Sequence, residues 1–361
     1  MLRTILSGAA LAAMAIPAAA ATPAPATCDE ACLGRLADQF VEALAVNDGS
    51  RLPLGKSFRY TENGQTLEIG DGMWGTLSAY SGQDPVRSPA AAKLPYRLTL
   101  FDTAKGEIVR LVETDENSTR GLTVLRLKLD GEGKIGEAEV LPVREEFGGN
   151  RGGTVTLLQP MLLATMDGAK LEAADPLLAR GEKAPATAAT LQAAADAYLD
   201  AVQGGKGGPV PLAADCLRRD NGERATGNVA SEPLDPTKPA FKPFALSCRT
   251  QLDSGFYSNI ARIRDRRYVV DAGRGLVLVL AQLDLPGTRL SFNAPGVGTV
   301  SYPGPRGTDP ALDGQFANRF AANMIAPVSM NAAVLFKLVD GKIARIDAFY
   351  RGAPLGIKSG W

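Results

Sequence analysis

The 361-residue chain contains no histidine. That absence removes the Ser-His-Asp triad, the Cys-His dyad, histidine-ligated zinc and the ordinary imidazole acid–base group. Any chemistry would have to run through carboxylates, tyrosine, lysine or bound water. An excess charge of one sign is missing as well: 39 basic and 39 acidic residues cancel, so no overall field favours nucleic acid or an anionic membrane as partner. Long apolar runs are scarce, and past the N-terminus none approaches the ~18 residues of a membrane span. Gly296-Val297-Gly298 lacks the strand-to-helix setting of a nucleotide-binding loop. No cofactor and no metal is expected.

What is present begins with an apolar, Ala-rich run from Ile5 to Ala20 behind Met-Leu-Arg-Thr. This pattern predicts a signal peptide over residues 1–21, cut near Ala20 to Thr22, and a periplasmic or secreted protein that meets no membrane after cleavage. Export places the four cysteines where disulfides persist. Cys28 and Cys32 stand at the entry of a helical pattern, while Cys216 and Cys248 lie in the second module, where a bridge would clip a long insertion onto its core. Pairing each with its neighbour keeps both bridges local, and metal binding is the weaker alternative without histidine.

Leu36–Gly64 overlays Ala194–Gly222 at a constant offset of 158 residues with eight identities, among them Asp38/Asp196, Pro53/Pro211, Asn63/Asn221 and Gly64/Gly222. A period that long indicates tandem domains rather than a solenoid. The first module is expected over residues 28–146, a connector over 147–187 with a helical stretch at Leu157–Met166, and the second module over 188–361. In the first, an amphipathic helix from Leu33 to Val46 precedes strand patterns at Phe58–Thr61, Thr66–Ile69, Tyr96–Phe101, Glu107–Glu113, Leu122–Asp130 and Ile135–Arg144. In the second, a helix at Leu191–Val202 precedes strands at Arg267–Asp271, Leu276–Leu285, Ala332–Val339 and Ile343–Tyr350. Two insertions, Glu223–Ser258 and Pro286–Pro327, are long enough to cover a site or a partner surface.

The leading helix followed by a bent meander resembles the nuclear-transport-factor-2-like fold. Tyr60-Thr61-Glu62-Asn63-Gly64, Gly70-Asp71-Gly72-Met73-Trp74 and Ser359-Gly360-Trp361 look like a secreted bacterial and fungal domain of unknown function, placed in that superfamily. The resemblance implies an α+β protein of two tandem cone-like modules, each an N-terminal helix packed on a bent antiparallel sheet around a pocket. Superfamily members include cofactor-independent isomerases and dehydratases as well as proteins that only bind or dimerise, so the fold leaves function open.

Glu62, Asp71 and Asp265 are the candidate acid–base groups, with Asp253 beside them in the second module. Tyr60 and Asn63 would orient a carbonyl or hydroxyl at Glu62; alternatively Asn63-Gly64 is a hairpin turn and Glu62 its solvated flank. Trp74 is either a stacking wall or core packing. Strand alternation would put Arg262, Arg264 and Arg266 on one face and Asp265 and Arg267 on the other, a row able to clamp an anion or simply a solvated face. Tyr257 and Phe256 would add an aromatic wall, Tyr268 after the arginine row is a further ligand-binding candidate, and Asp102 and Asp271 read as turn aspartates. Two functions follow: a cofactor-independent lyase or isomerase acting on a small, oxygenated, aromatic molecule, or a non-catalytic ligand-binding or scaffold protein whose modules pair as an intramolecular pseudo-dimer.

Overall fold

The computed structural model describes residues 28–84, 86, 88–94, 97–144, 176–179, 186–205, 207–229, 236–237, 239–287, 290–302 and 327–361. The signal peptide, its cleavage site and the helix expected at Leu157–Met166 lie outside the described residues. Among those described, mixed α and β structure is dominated by sheet, and no helix is long and apolar enough to cross a membrane.

Helix α1 (Glu30–Ala45) starts where the Asp29 side chain accepts from the Cys32 N–H at 2.8 Å, and it buries Leu33, Ala37, Phe40, Val41 and Leu44 along one face. The Cys28–Cys32 disulfide closes its entry. Strands β1 (Leu54–Glu62), β2 (Gln65–Leu67), β3 (Leu77–Tyr80), β4 (Arg97–Asp102), β5 (Glu107–Glu116), β6 (Thr119–Leu129) and β7 (Ile135–Arg144) follow. They form one sheet in the order β2-β1-β7-β6-β5-β3, with β4 also on β5.

After a single helical turn at Pro176–Ala179, helix α2 (Ala188–Gly204) is capped by Thr187 and ended by Gly205 at φ 61°. The second sheet contains β8 (Leu212–Asp220), β9 (Glu223–Arg224), β10 (Arg262–Asp271) and β11 (Leu276–Pro286). A separate hairpin, β12 (Leu290–Ala294) with β13 (Gly298–Tyr302), precedes β14 (Pro327–Val339) and β15 (Lys342–Pro354). The second sheet's order is β10-β11-β14-β15-β8-β9. Between β9 and β10 the insertion forms a 3₁₀ turn (Pro239–Ala245) and helix α3 (Cys248–Asp253), clipped to β8 by Cys216–Cys248.

The expected all-antiparallel meander needs one correction in each sheet. β1 runs parallel to β7, and β8 runs parallel to β15. Each of these strands reaches the rest of its sheet through other elements rather than a hairpin, so no tight turn forces it antiparallel.

Side-chain alternation sorts the apolar residues into three layers. On β11, Val277, Val279, Ala281, Leu283 and Leu285 face α2, while Leu276, Leu278 and Leu280 face the other sheet. On β6, Leu125 and Leu127 face α1, whereas Leu122 and Val124 point to the opposite sheet. The order is therefore helix, sheet, sheet, helix, and β5 and β11 are buried along almost their whole length because both faces are covered.

Polar contacts across the sheet–sheet layer come in matched pairs. Asp102 Oδ2 accepts from the Val270 N–H at 3.1 Å, and Asp271 Oδ2 accepts from the Phe101 N–H at 3.2 Å. Lys105 Nζ donates to Tyr268 O at 2.8 Å, and Arg274 donates to Thr99 O. Each member of one pair lies 169 positions from its counterpart (271 minus 102), the reciprocity of a two-fold contact.

Candidate functional site

Tyr60 and Glu62 are two residues apart on β1 and so share its inner face. Glu62 is buried. Its Oε2 accepts from the Met73 N–H at 2.7 Å and the Tyr60 hydroxyl at 3.3 Å, and its Oε1 meets Arg144 Nη2 at 2.8 Å. The same guanidinium bonds Glu116 at 2.9 and 2.8 Å, and Thr76 donates to Glu116 at 2.6 Å. Gly72, at φ +61°, makes this closure feasible: a Cβ there would stand 2.3 Å from Glu62 Oε2. Burial, then the neighbouring Glu62, pushes the Tyr60 phenol well above its ordinary value. Burial opposes the Arg144 charge, but bonds from Glu116 and Glu62 outweigh it and raise its pKa. Every oxygen of Glu62 thus has a donor, and the group is neither a solvated turn flank nor an open base. Asn63 does sit in the turn, at φ 51°.

Trp74 is 1 % exposed and lies edge-on to Phe40 at 5.6 Å and Tyr60 at 6.2 Å. It fills the interior of the first half and is no lid. Asp71 is exposed at the start of the 3₁₀ turn Gly72–Gly75, and its side chain makes no capping bond.

The arginine row is interrupted. A bulge between Arg264 and Arg267 puts Asp265 at φ 56°, so the expected alternation fails there. Arg262 and Arg264 turn to Asp284 at 3.1 and 2.9 Å, Arg266 to Asp196 and Asp200 on α2 at 3.0 and 2.7 Å, and Arg267 across the layer to Glu139. Asp265 is exposed and pairs with Arg264 at 3.0 Å. Tyr268 bonds Asp196 through its hydroxyl, and burial with that bond pushes its pKa up to about 12. Asp253, at the exposed end of α3, faces Arg249 at 3.7 Å. The expected site residues are therefore dispersed: Tyr60, Glu62 and Trp74 meet, whereas Asp71, Asp253, Asp265, Tyr257 and Tyr268 stand elsewhere.

A second buried cluster was missed by sequence reasoning. Arg218 Nε bonds Asp220 at 2.8 Å, and Nη1 and Nη2 donate to the Tyr198 and Tyr350 hydroxyls, each at 2.5 Å. Its guanidinium carbon also lies 4.7 Å from the centre of the Tyr257 ring, whose hydroxyl bonds Gln251. Burial raises the Asp220 pKa against the opposing Arg218 charge. The Arg218 pKa also stands well above its ordinary value, because Asp220 and the surrounding tyrosines outweigh burial. The insertion covers this cluster with Phe241, Phe244, Leu252 and Phe256. The signal was in the register: at the 158-residue offset Arg218 matches Tyr60, and Asp220 matches Glu62.

Two cavities lie away from these interiors. A small one of about 20 Å³ between the sheets touches Asn63, Glu139, Arg267, Gln282 and Asn331. An open groove of about 440 Å³ on the first sheet is lined by Arg59, Lys128, Asp130 and Glu137, among others. At its edge Arg59 stacks on the Trp361 ring at 4.0 Å.

Residues 184–350 are similar to a family whose description is Domain of unknown function (DUF8021). That span holds Tyr198, Arg218, Asp220, Tyr257 and Tyr350. No curated protein matches the chain. The two disulfides fit a non-cytoplasmic location.

Proposed function

We propose that this is an exported, non-catalytic ligand-binding or scaffold protein, built of two nuclear-transport-factor-2-like cones paired sheet to sheet as an intramolecular pseudo-dimer. The observation that carries the reading is the state of Glu62. The carboxylate best placed for acid–base work in the first half is saturated by Met73, Tyr60 and Arg144 beneath an interior filled by Phe40 and Trp74. Asp71 and Asp265 are exposed. The groove beside Arg59 and Lys128 has the volume of a small-molecule site and carries both signs of charge, which suits a small polar molecule. Native mass spectrometry of the exported protein, with extraction of anything bound, tests this. A small organic molecule released by Arg59→Ala supports the groove. A bound molecule unaffected by Arg59→Ala and lost with Arg218→Met moves the site to the second half.

A lyase or isomerase is the second reading, favoured by one observation. Asp220 is a buried carboxylate whose pKa burial raises, and it is paired with Arg218, which also bonds the Tyr198 and Tyr350 hydroxyls. Turnover of a small oxygenated compound that survives Glu62→Gln and disappears with Asp220→Asn, in a variant that urea titration shows to be still folded under the assay conditions, would establish it.

A further inference from the structure

We infer that the cavity between the sheets is a binding site for one ordered water molecule, which joins the two halves of the protein. The orientation of two side-chain amides follows from a single fixed point. The backbone carbonyl of Asn63 only accepts, so the bond at 2.6 Å must come from the Asn331 amide nitrogen. Asn331 Oδ1 then faces Gln282, and the Gln282 amide nitrogen donates to it at 3.0 Å. Gln282 Oε1 is thereby turned away from both, buried and without a donor. Asn63 Oδ1 is another buried acceptor without a partner, and Arg267 Nε is a buried donor without one. All of these residues line the same cavity.

Its volume, about 20 Å³, holds a water but nothing larger, since one probe sphere needs roughly 10–15 Å³. A water there donates to Gln282 and Asn63 and accepts from Arg267, the three bonds typical of a buried water. A metal ion fits less well. The one carboxylate at the cavity, Glu139, is paired with Arg267 through one oxygen, while its other oxygen has no hydrogen-bond donor and lies 3.7 Å from Arg126, so two guanidiniums already offset its charge. Gly64 belongs to the same arrangement: a Cβ there would lie 3.1 Å from Asn331 Oδ1, on backbone at φ +74°. The inference rests on the sheet–sheet contact alone and is independent of the proposed ligand.

A crystal structure of the full chain at about 1.6 Å resolution, with melting curves in sodium, potassium, ammonium and choline chloride at equal ionic strength, tests it. The expected result is a single density peak about 2.7–3.2 Å from Gln282 Oε1 and a midpoint that is the same in all four salts. Gln282→Met should lose the peak and lower the midpoint by about 3–8 °C. An empty cavity, anomalous signal from a potassium or rubidium soak, or a midpoint that follows the cation would overturn the inference.

Discussion

Glu62→Gln separates a structural carboxylate from a functional one. Glutamine keeps the shape of Glu62 but carries one acceptor and one donor where there were two acceptors. In one orientation its NH₂ faces Arg144 Nη2, which stood 2.8 Å from Oε1; in the other it faces the Met73 N–H, which stood 2.7 Å from Oε2. Either way a buried donor loses its acceptor. A hydrogen bond to a charged group contributes about 1.5–3 kcal/mol. The full loss of about 3–5 kcal/mol for a broken buried pair is not expected, because Arg144 keeps two bonds to Glu116. A loss of about 2–3 kcal/mol then lowers the melting midpoint by roughly 5–10 °C. Calorimetry and urea titration of the full chain measure it, and a double-mutant cycle with Arg144→Met should give a coupling of about 1–2 kcal/mol. A midpoint unchanged to within about 1 °C, together with lost binding or turnover, would refute the structural assignment.

Asp220→Asn should cost about 3–5 kcal/mol in urea titration, since it leaves Arg218 charged and buried; Arg218→Met with Asp220→Leu should recover most of that, and a double variant no better than the single would sink the explanation. Replacing Cys216 and Cys248 by alanine opens a loop with sequence separation 32, against 4 for Cys28 and Cys32, so chain entropy predicts losses of about 3–4 and about 2 kcal/mol; equal losses would count against that account. Asp265→Val should destabilise by about 1–2 kcal/mol because the bulge holds position 265 at φ 56°, whereas Asp265→Gly should be near neutral; the reverse order in thermal melts would deny the bulge. Burial raises the phenol pKa of Tyr60, Tyr257 and Tyr350 above the ordinary 10.0. The unfolded chain ionises these groups first, so stability is complete below pH 10 and falls as pH rises beyond it; an ultraviolet titration in which all eight tyrosines ionise together near 10 without loss of stability would contradict this.

The helices and hairpins were legible because their apolar periods are local. Leu33, Ala37, Phe40 and Leu44 mark α1, and β5 to β7 alternate between well-defined turns. β8 was not legible: Leu-Ala-Ala-Asp-Cys-Leu-Arg-Arg-Asp lacks alternation because most of this strand is only partly buried. Its parallel pairing with β15 depends on residues more than a hundred positions away. The bulge at Asp265 leaves no mark either, since no glycine announces the positive φ. At the site, Tyr60 and Glu62 were found by their strand and turn, but their state was not. Arg144 is 82 residues from Glu62 in the chain, and only the packed sheet reveals that it neutralises the carboxylate.

The two halves agree where they touch and differ in their interiors. Asp102 and Asp271 exchange equivalent bonds across the layer, and Lys105 with the Tyr268 carbonyl matches Arg274 with the Thr99 carbonyl. Inside, Tyr60 and Glu62 give way to Arg218 and Asp220. The core packing of Met73 and Trp74 gives way to a disulfide-clipped insertion carrying Phe241, Phe244, Phe256 and Tyr257. A contact that must close on itself constrains both halves at once, because a change on one side leaves a polar atom or an apolar face unmatched on the other. An interior has no such tie and is free to acquire a separate role. The asymmetry therefore directs any search for chemistry to the second half, where the Arg218 cluster lies under its cover. It also fixes the form of the experiment. Separated halves would expose Leu98, Leu100, Val109 and Leu111 on one side and Leu276, Leu278 and Leu280 on the other, contiguous apolar faces of the kind that aggregate, so ligand and activity assays belong on the full chain.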